Sequence, residues 1–297
     1  MDPLIDLIGT SAAAEELRTK IERLFQRRHA GGHFPPILVD GETGTGKGLV
    51  ARLIHRAGPR ADGPFMPVNC AAIPETLLES ELFGFERGAF TDARRSKRGL
   101  FQSAHRGVLF LDEISRVPAG VQVKLLTAIE ERWVRALGRT DREAIDVWIV
   151  AATNVDLAAA VRSGLFREDL YHRLAVLRLH VPPLRERRED ILLLAEHFLE
   201  LARREYDLPE RRLTGEARAA LVAYAWPGNI RELGNVMERV ALLSDTPDIT
   251  AAMLGLSVAS TPAVDDESDA DVPMEETIAT LERRRIVETL EQVAWNV

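Results

Sequence analysis

The apolar positions of the chain follow two alternating rhythms. Short, nearly unbroken apolar runs stand at Ile37 to Val39, Phe65 to Asn69, Val108 to Leu111, Ile145 to Ala152 and Leu174 to Val181. Runs of that kind predict strands covered on both faces, the habit of a parallel sheet. Between them the spacing changes to three and four, at Leu17, Ile21, Leu24 and Phe25 within Ala13 to Arg28, then over Leu49 to Ala57 and Val121 to Glu131. That spacing predicts amphipathic helices, and strands alternating with helices predict an α/β fold with a parallel sheet flanked on both sides.

After Pro182-Pro183 the strand rhythm stops. Ile191, Leu194, Ala195, Phe198, Leu201 and Ala202 form one helical stripe, and Ile230, Leu233, Val236, Met237 and Val240 form another. Trp226-Pro227-Gly228-Asn229 supplies the chemistry of a turn and a helix start. Ser257 to Pro273 is rich in Ser, Ala, Pro and Asp without a large aromatic residue, which predicts an extended linker. Thr277 to Val293 returns to helical spacing. The expected organisation is a sheet subdomain over 1–182, a helical subdomain over 183–255, a linker over 256–273 and the start of a further helical domain over 274–297. No internal repeat is visible.

Composition changes the picture in two places. The net charge of −8 argues at first against nucleic acid, but residues 265, 266, 267, 269, 271, 275 and 276 are all acidic, leaving 38 basic against 39 acidic elsewhere. The acidity is local, so bulk charge decides nothing about DNA. The single cysteine, Cys70, excludes an internal disulfide and a cysteine-only metal site, and its expected role is packing. No apolar run approaches a membrane span and Met1-Asp2-Pro3 lacks the order of a signal peptide, so the expectation is a cytoplasmic protein with no membrane partner.

The chemistry concentrates in Gly41-Glu42-Thr43-Gly44-Thr45-Gly46-Lys47, between the first apolar run and a helix that opens with Gly48 and Leu49. Glycines let backbone N–H groups turn toward an anion, the helix aims its positive end at it, and Lys47 adds a point charge for β- and γ-phosphates. A ligand-free glycine turn would also fit the stretch taken alone. Val108-Leu109-Phe110-Leu111-Asp112-Glu113 supplies the context, a strand ending in two carboxylates. Asp112 can hold Mg²⁺, directly or through water, and Glu113 can orient or deprotonate the attacking water. Gly48 stands where the general pattern has Ser or Thr for Mg²⁺, so metal binding leans on Asp112 and water.

With these motifs, the helical segment and Glu81-Leu82-Phe83-Gly84-Phe85-Glu86-Arg87-Gly88-Ala89-Phe90-Thr91 in view, the chain resembles the AAA+ domain of sigma-54-dependent transcriptional activators, the bacterial enhancer-binding proteins. The match spans roughly residues 7 to 244. The resemblance implies an AAA+ P-loop ATPase with a C-terminal helical lid, binding ATP and Mg²⁺ and remodelling the sigma-54 RNA polymerase holoenzyme. Gly88, Ala89, Phe90, Thr91, Asp92 and Ala93 would form the loop that touches sigma-54, with Phe90 and Thr91 as contact residues. The family usually has Gly where this chain has Asp92. A carboxylate there motivates an alternative, a nucleotide-controlled regulator that does not activate sigma-54.

The same resemblance gives other residues their expected roles. Asn69 would hold Glu113 away from water until the nucleotide state is read, and Asn154 would sense the γ-phosphate, although Asn at a strand end also suits a plain turn. Arg167 and Arg173 would reach a neighbouring subunit's γ-phosphate, or else pair with nearby acids at the surface. Arg231 would bring the lid onto the nucleotide, and Ile8, Gly9 and Leu184 would line the adenine pocket. A finger acting in trans requires a ring, so the expected partners include further copies of the chain, as a hexamer or heptamer. Leu281 to Leu290 resembles the first helix of a Fis-like DNA-binding domain, which would place enhancer DNA binding in residues beyond this chain.

Overall fold

The computed structural model describes residues 7–26, 34–90 and 93–256. Thr91, Asp92, the linker from residue 257 onward and the terminal helical segment lie outside the described residues.

Five strands, β1 (Ile37–Asp40), β2 (Phe65–Asn69), β3 (Val108–Asp112), β4 (Trp148–Thr153) and β5 (Leu177–His180), form one parallel sheet in the order β2-β3-β4-β1-β5. The helices that matter for the site are α1 (Ala12–Gln26), α2 (Lys47–Ala57), α3 (Glu75–Phe83), α4 (Ala119–Glu131), α5 (Glu168–Leu174), α6 (Arg188–Glu205), α7 (Gly215–Ala223) and α8 (Asn229–Leu243).

Successive strand residues alternate between two cores. In β3, Val108 and Phe110 join Leu17 and Ile21 of α1 and Leu53 and Ile54 of α2. Leu109 and Leu111 join Leu78 of α3, Leu125 of α4 and Leu170 of α5. Both faces are therefore dry, which is why these strands read as continuous apolar runs. A third core belongs to the lid, where Ile191, Leu194 and Leu199 of α6 meet Leu233, Met237 and Val240 of α8 around Trp226. Trp226 is fully buried, and its Nε1 donates to Leu221 O at 2.8 Å, so the large ring carries no unpaired polar atom.

Two strand boundaries differ from the sequence expectation. Ile145 to Val147 do not join β4, because Glu143–Ala144 pairs antiparallel with Trp133–Val134 and the Ile145 N–H donates to Arg132 O. Leu174 ends α5 rather than starting β5. Leu170 and Leu174 lie one helical turn apart and both are fully buried, so the helix claims the apolar residue that strand patterning alone assigned to the sheet.

Candidate active site

All five strands run the same way, so the loops that leave them gather at one edge, the usual place for a ligand in an open α/β sheet. The glycine loop leaves β1 there, the carboxylates leave β3, and Asn154 leaves β4 between them.

Two glycines of the loop are required by contact. Gly41 has φ 155°, and a Cβ on it would lie 2.5 Å from Val181 O. Gly44 has φ 81°, and its Cβ would lie 2.2 Å from Gly228 O on the lid. Gly48 is different, since a Cβ there would meet only Phe110 Cε1 at 3.9 Å. Thr45 Oγ1 donates to Glu42 O at 2.8 Å, bracing the loop. Lys47 is buried at the start of α2, and its Nζ donates to Gly41 O at 2.8 Å and Glu42 O at 2.9 Å, holding the charge over the anion cradle. Burial pushes this ammonium below the ordinary lysine value, while Glu113 and Asp112 pull it back up. Leu49, two positions on, is 40% exposed.

Asp112 closes β3, and its Oδ1 accepts the Glu113 N–H at 3.0 Å. Glu113 has φ 53°, a left-handed conformation that turns the chain sharply off the strand. Burial raises the Glu113 pKa above the ordinary carboxylate value against the opposing charge of Lys47, and Asp112 raises it further. A carboxylate raised in this way is a stronger proton acceptor. The Cys70 N–H donates to Asp112 O at 2.9 Å, and burial pushes the buried thiol up to about 12, so Cys70 packs rather than reacts.

Asn69 faces the same cavity, with its Oδ1 accepting the Ala71 N–H at 2.9 Å and no hydrogen bond to Glu113. Asn154 Nδ2 donates to Thr43 Oγ1 at 3.0 Å, which ties the end of β4 to the glycine loop.

The lid supplies the opposite wall. A cavity of about 540 Å³ lies between Gly44, Lys47, Asp112 and Glu113 on one side and Phe198, Tyr206, Arg231 and Glu238 on the other. The Arg231 N–H donates to Gly44 O at 3.2 Å, and its guanidinium charge reaches both Lys47 and Glu113. Glu42 accepts two hydrogen bonds from Arg185, at 2.6 and 2.8 Å, and one from Asn229 Nδ2 at 3.2 Å. The Arg185 bonds, then that of Asn229, pull the Glu42 carboxyl down to about 2. Asn229 is buried, giving a second hydrogen bond to Thr43 O at 3.0 Å and accepting the Leu184 N–H at 2.8 Å. Arg185 and Asn229 escaped the sequence reading, where Gly228-Asn229 showed only as turn chemistry.

A second tie also escaped it. Leu7 sits in the core on the α1 and α2 side, whereas Ile8 packs against the lid core. The fully buried Asp190 accepts the N–H groups of Thr10 and Ser11 at 2.6 and 2.9 Å, Ser11 Oγ at 2.6 Å and Arg187 Nε at 2.9 Å. Arg187, itself buried, also donates to Ile8 O at 2.9 Å. Burial pushes the Asp190 carboxyl up, but the bonds from Ser11, Arg187 and Thr10 outweigh it and hold the pKa below its ordinary value.

Several expected site residues stand elsewhere. Ile8 and Leu184 pack in the lid core, off the cavity wall, and Gly9 (φ 144°) is pressed against the Asp190 carboxylate, 2.5 Å from where a Cβ would lie. Arg167 and Arg173 do not line this cavity. Arg167 is exposed and holds Asp169 through two hydrogen bonds of 2.6 and 3.0 Å. Arg173 borders a smaller cavity beside Pro35, Arg60 and Asp146, with its Nε buried and without a hydrogen-bond partner. In the loop, Gly88 N donates to Ala93 O at 2.8 Å, Ala89 N to Glu86 O at 3.1 Å and Ala93 N to Phe90 O at 3.0 Å. The Phe90 ring rests 4.9 Å from that of Phe85 and keeps 41% of its surface exposed.

The chain is similar to known proteins along most of its length. The sigma-54 interaction domain matches residues 7–180 and the AAA+ ATPase lid domain residues 185–271. The response regulator protein PilR of Pseudomonas aeruginosa is 47% identical over 98% of this chain and 64% of its own length. The DNA-binding transcriptional regulator NtrC of Escherichia coli is 46% identical over 82% of this chain and 50% of its own. The chain thus spans between half and two thirds of these relatives. Crystal structures of NtrX from Brucella abortus, one in complex with ADP and one with ATP, superpose with a TM-score of 0.75 at 36% identity, covering 96% of this chain and 61% of theirs. The chain belongs to the sigma-54 interaction domain family and carries the AAA+ ATPase lid behind it.

Proposed function

We propose that this chain is the ATP-hydrolysing motor of a sigma-54-dependent transcriptional activator. The observation that carries the reading is a single cavity in which Lys47, Asp112, Glu113 and Arg231 face one another across the glycine loop and the lid. Backbone N–H groups of the loop and the Lys47 ammonium hold the phosphates. Glu113 takes the proton of the attacking water, Asn69 holds Glu113 back until the nucleotide state is read, Asn154 senses the γ-phosphate, and Arg231 draws the lid down. The ADP and ATP complexes of NtrX support nucleotide binding by this chain.

The donor set suits Mg²⁺, which is held by one or two carboxylates, substrate phosphates and water. Asp112 has one oxygen committed to the Glu113 N–H and the other available. Gly48 adds no hydroxyl. The ion, when bound, neutralises charge on the phosphates.

The exposed Arg167, just before α5, and Arg173, in its last turn, would both serve the γ-phosphate of a neighbour in a hexameric or heptameric ring. In other NTPases such a guanidinium is worth about 10³–10⁵ in rate. The loop over residues 88–93 carries the work to sigma-54 and RNA polymerase.

Replacing Glu113 by Gln is expected to leave ATP bound while turnover falls by at least about 100-fold; near-normal turnover rejects Glu113 as the base. Capture of sigma-54 by the native chain with ADP and aluminium fluoride, compared with Asp92→Gly, tests the partner. Nucleotide-dependent capture by the native chain supports the activator. Hydrolysis without capture by either protein moves the chain to a regulator that does not engage sigma-54.

A further inference from the structure

We propose that Gln122 is a positioning residue that couples the Glu113 side of one subunit's site to the Arg167 finger offered to the next subunit. The proposal rests on the trans-finger reading above.

Gln122 lies on the buried face of α4 among Val121, Leu125, Ala128 and Ile129, where it is the one polar side chain, 1% exposed. Its Nε2 donates to Val117 O at 2.9 Å and to Leu165 O at 3.2 Å, and its Oε1 accepts the Arg167 N–H at 2.8 Å. The neighbours dictate which end of the amide is which, since two of them are carbonyls and one is an N–H.

The three partners belong to two segments that are distant in sequence. Val117 closes the single helical turn Ile114–Arg116 that starts on Glu113, with Arg116 N donating to Glu113 O at 3.0 Å and Val117 N to Ile114 O at 3.2 Å. Leu165 and Arg167 flank the buried Phe166 immediately before α5. The amide therefore bridges the turn carrying the catalytic carboxylate to the backbone that aims the finger.

An apolar side chain of the same size would fill this place without the cost of burying an amide. A buried polar group with every bond satisfied fixes relative position more than it adds stability. A shift of the Glu113 turn with nucleotide state moves Val117 O, and Gln122 passes that shift to Leu165 and Arg167. Asp169 then holds the guanidinium of the same residue from the other side.

The test compares Gln122→Met, Arg167→Ala and the double variant in the full chain, by steady-state ATPase, titration with a fluorescent ATP analogue and thermal melting. Gln122→Met keeps the length and removes all three bonds. Because a misplacement of about 1 Å can cost about 10²-fold in rate, kcat is expected to fall by about 10- to 100-fold with ATP affinity within about twofold. The double variant is expected to be no slower than Arg167→Ala, since both act through one group. Mixing Gln122→Met subunits with Lys47→Ala subunits is expected to restore hydrolysis, because the latter lend sound fingers to intact nucleotide sites. Unchanged kcat, additive losses or no recovery on mixing would overturn the proposal. A normal kcat in Arg167→Ala would instead overturn the finger on which it rests. Should Gln122→Met melt below the assay temperature, the same kinetics and mixing test are run below its melting point beside the native chain at that temperature.

Discussion

The two walls of the cavity are held in opposite ways. The sheet wall is backbone: β1, β3 and β4 pair along their length, and the loop that leaves them is shaped by glycines and by Lys47 bonded to carbonyls of its own loop. The lid wall is held to it mostly by side chains, through Glu42 with Arg185, Asn229 with Thr43, and Asp190 with the segment before α1, beside one main-chain bond from the Arg231 N–H to Gly44 O. A cover fastened by a few side chains can be released by changing one of them, which suits the lid movement proposed above.

The largest effect is expected where a fastening is buried. Asp190→Ala leaves the buried Arg187 guanidinium without its carboxylate, and breaking such a pair costs about 3–5 kcal/mol. That corresponds to a fall in Tm on the order of 10 °C for a domain of this size. A Tm unchanged within error would show that the strap is not what fastens the lid.

A smaller, sharper test sits inside the glycine loop. Gly44 and Gly46 both have positive φ, yet only Gly44 meets the lid backbone, while a Cβ on Gly46 has Ile230 Cδ1 at 3.9 Å as its nearest neighbour. Gly46→Ala carries left-handed strain of about 1–2 kcal/mol. Gly44→Ala carries that and a clash with Gly228, so it is expected to lose at least about tenfold more nucleotide affinity, or about 1.4 kcal/mol. Equal losses in a titration would mean that the lid does not need this approach.

The smallest effect belongs to the exposed clamp. Glu42 and Arg185 are both partly in water, so Glu42→Gln is expected to cost less than about 1 kcal/mol. The folded pKa of about 2 lies below the ordinary 4.5, so the contribution is present above pH 4.5 and fades as pH falls from there toward 2. Melting of the native chain and Glu42→Gln should therefore differ at neutral pH and converge in acid. A difference that persists at low pH would assign the effect to packing rather than charge.

Much of the sheet wall was legible because its signals are local. Gly41 to Lys47 and Val108 to Glu113 are continuous stretches, and a strand buried on both faces announces itself through apolar residues such as Val108 to Leu111. The errors fell where neighbours outside the stretch decided. By pattern alone Leu174 and Ile145 suit strands, whereas burial beside Leu170 places Leu174 in a helix and Arg132 O takes the Ile145 N–H. The lid wall was barely legible. Asp190 reads as one acidic residue at a helix start, and nothing in its surroundings along the chain points to Thr10 and Ser11. Gln122 reads as a polar interruption of an apolar stripe, and only the folded chain shows what it bridges.

The sequence alone therefore determined the alternating α/β plan, the anion loop and the paired carboxylates, because hydrophobic period and glycine freedom act between residues a few positions apart. Tertiary structure alone decided which strand edge gathers those motifs, which side chains fasten the lid, and where Arg167 and Arg173 stand, because those outcomes depend on hydrogen bonds and burial between residues far apart in the chain, whose partners exist only once the sheet has assembled.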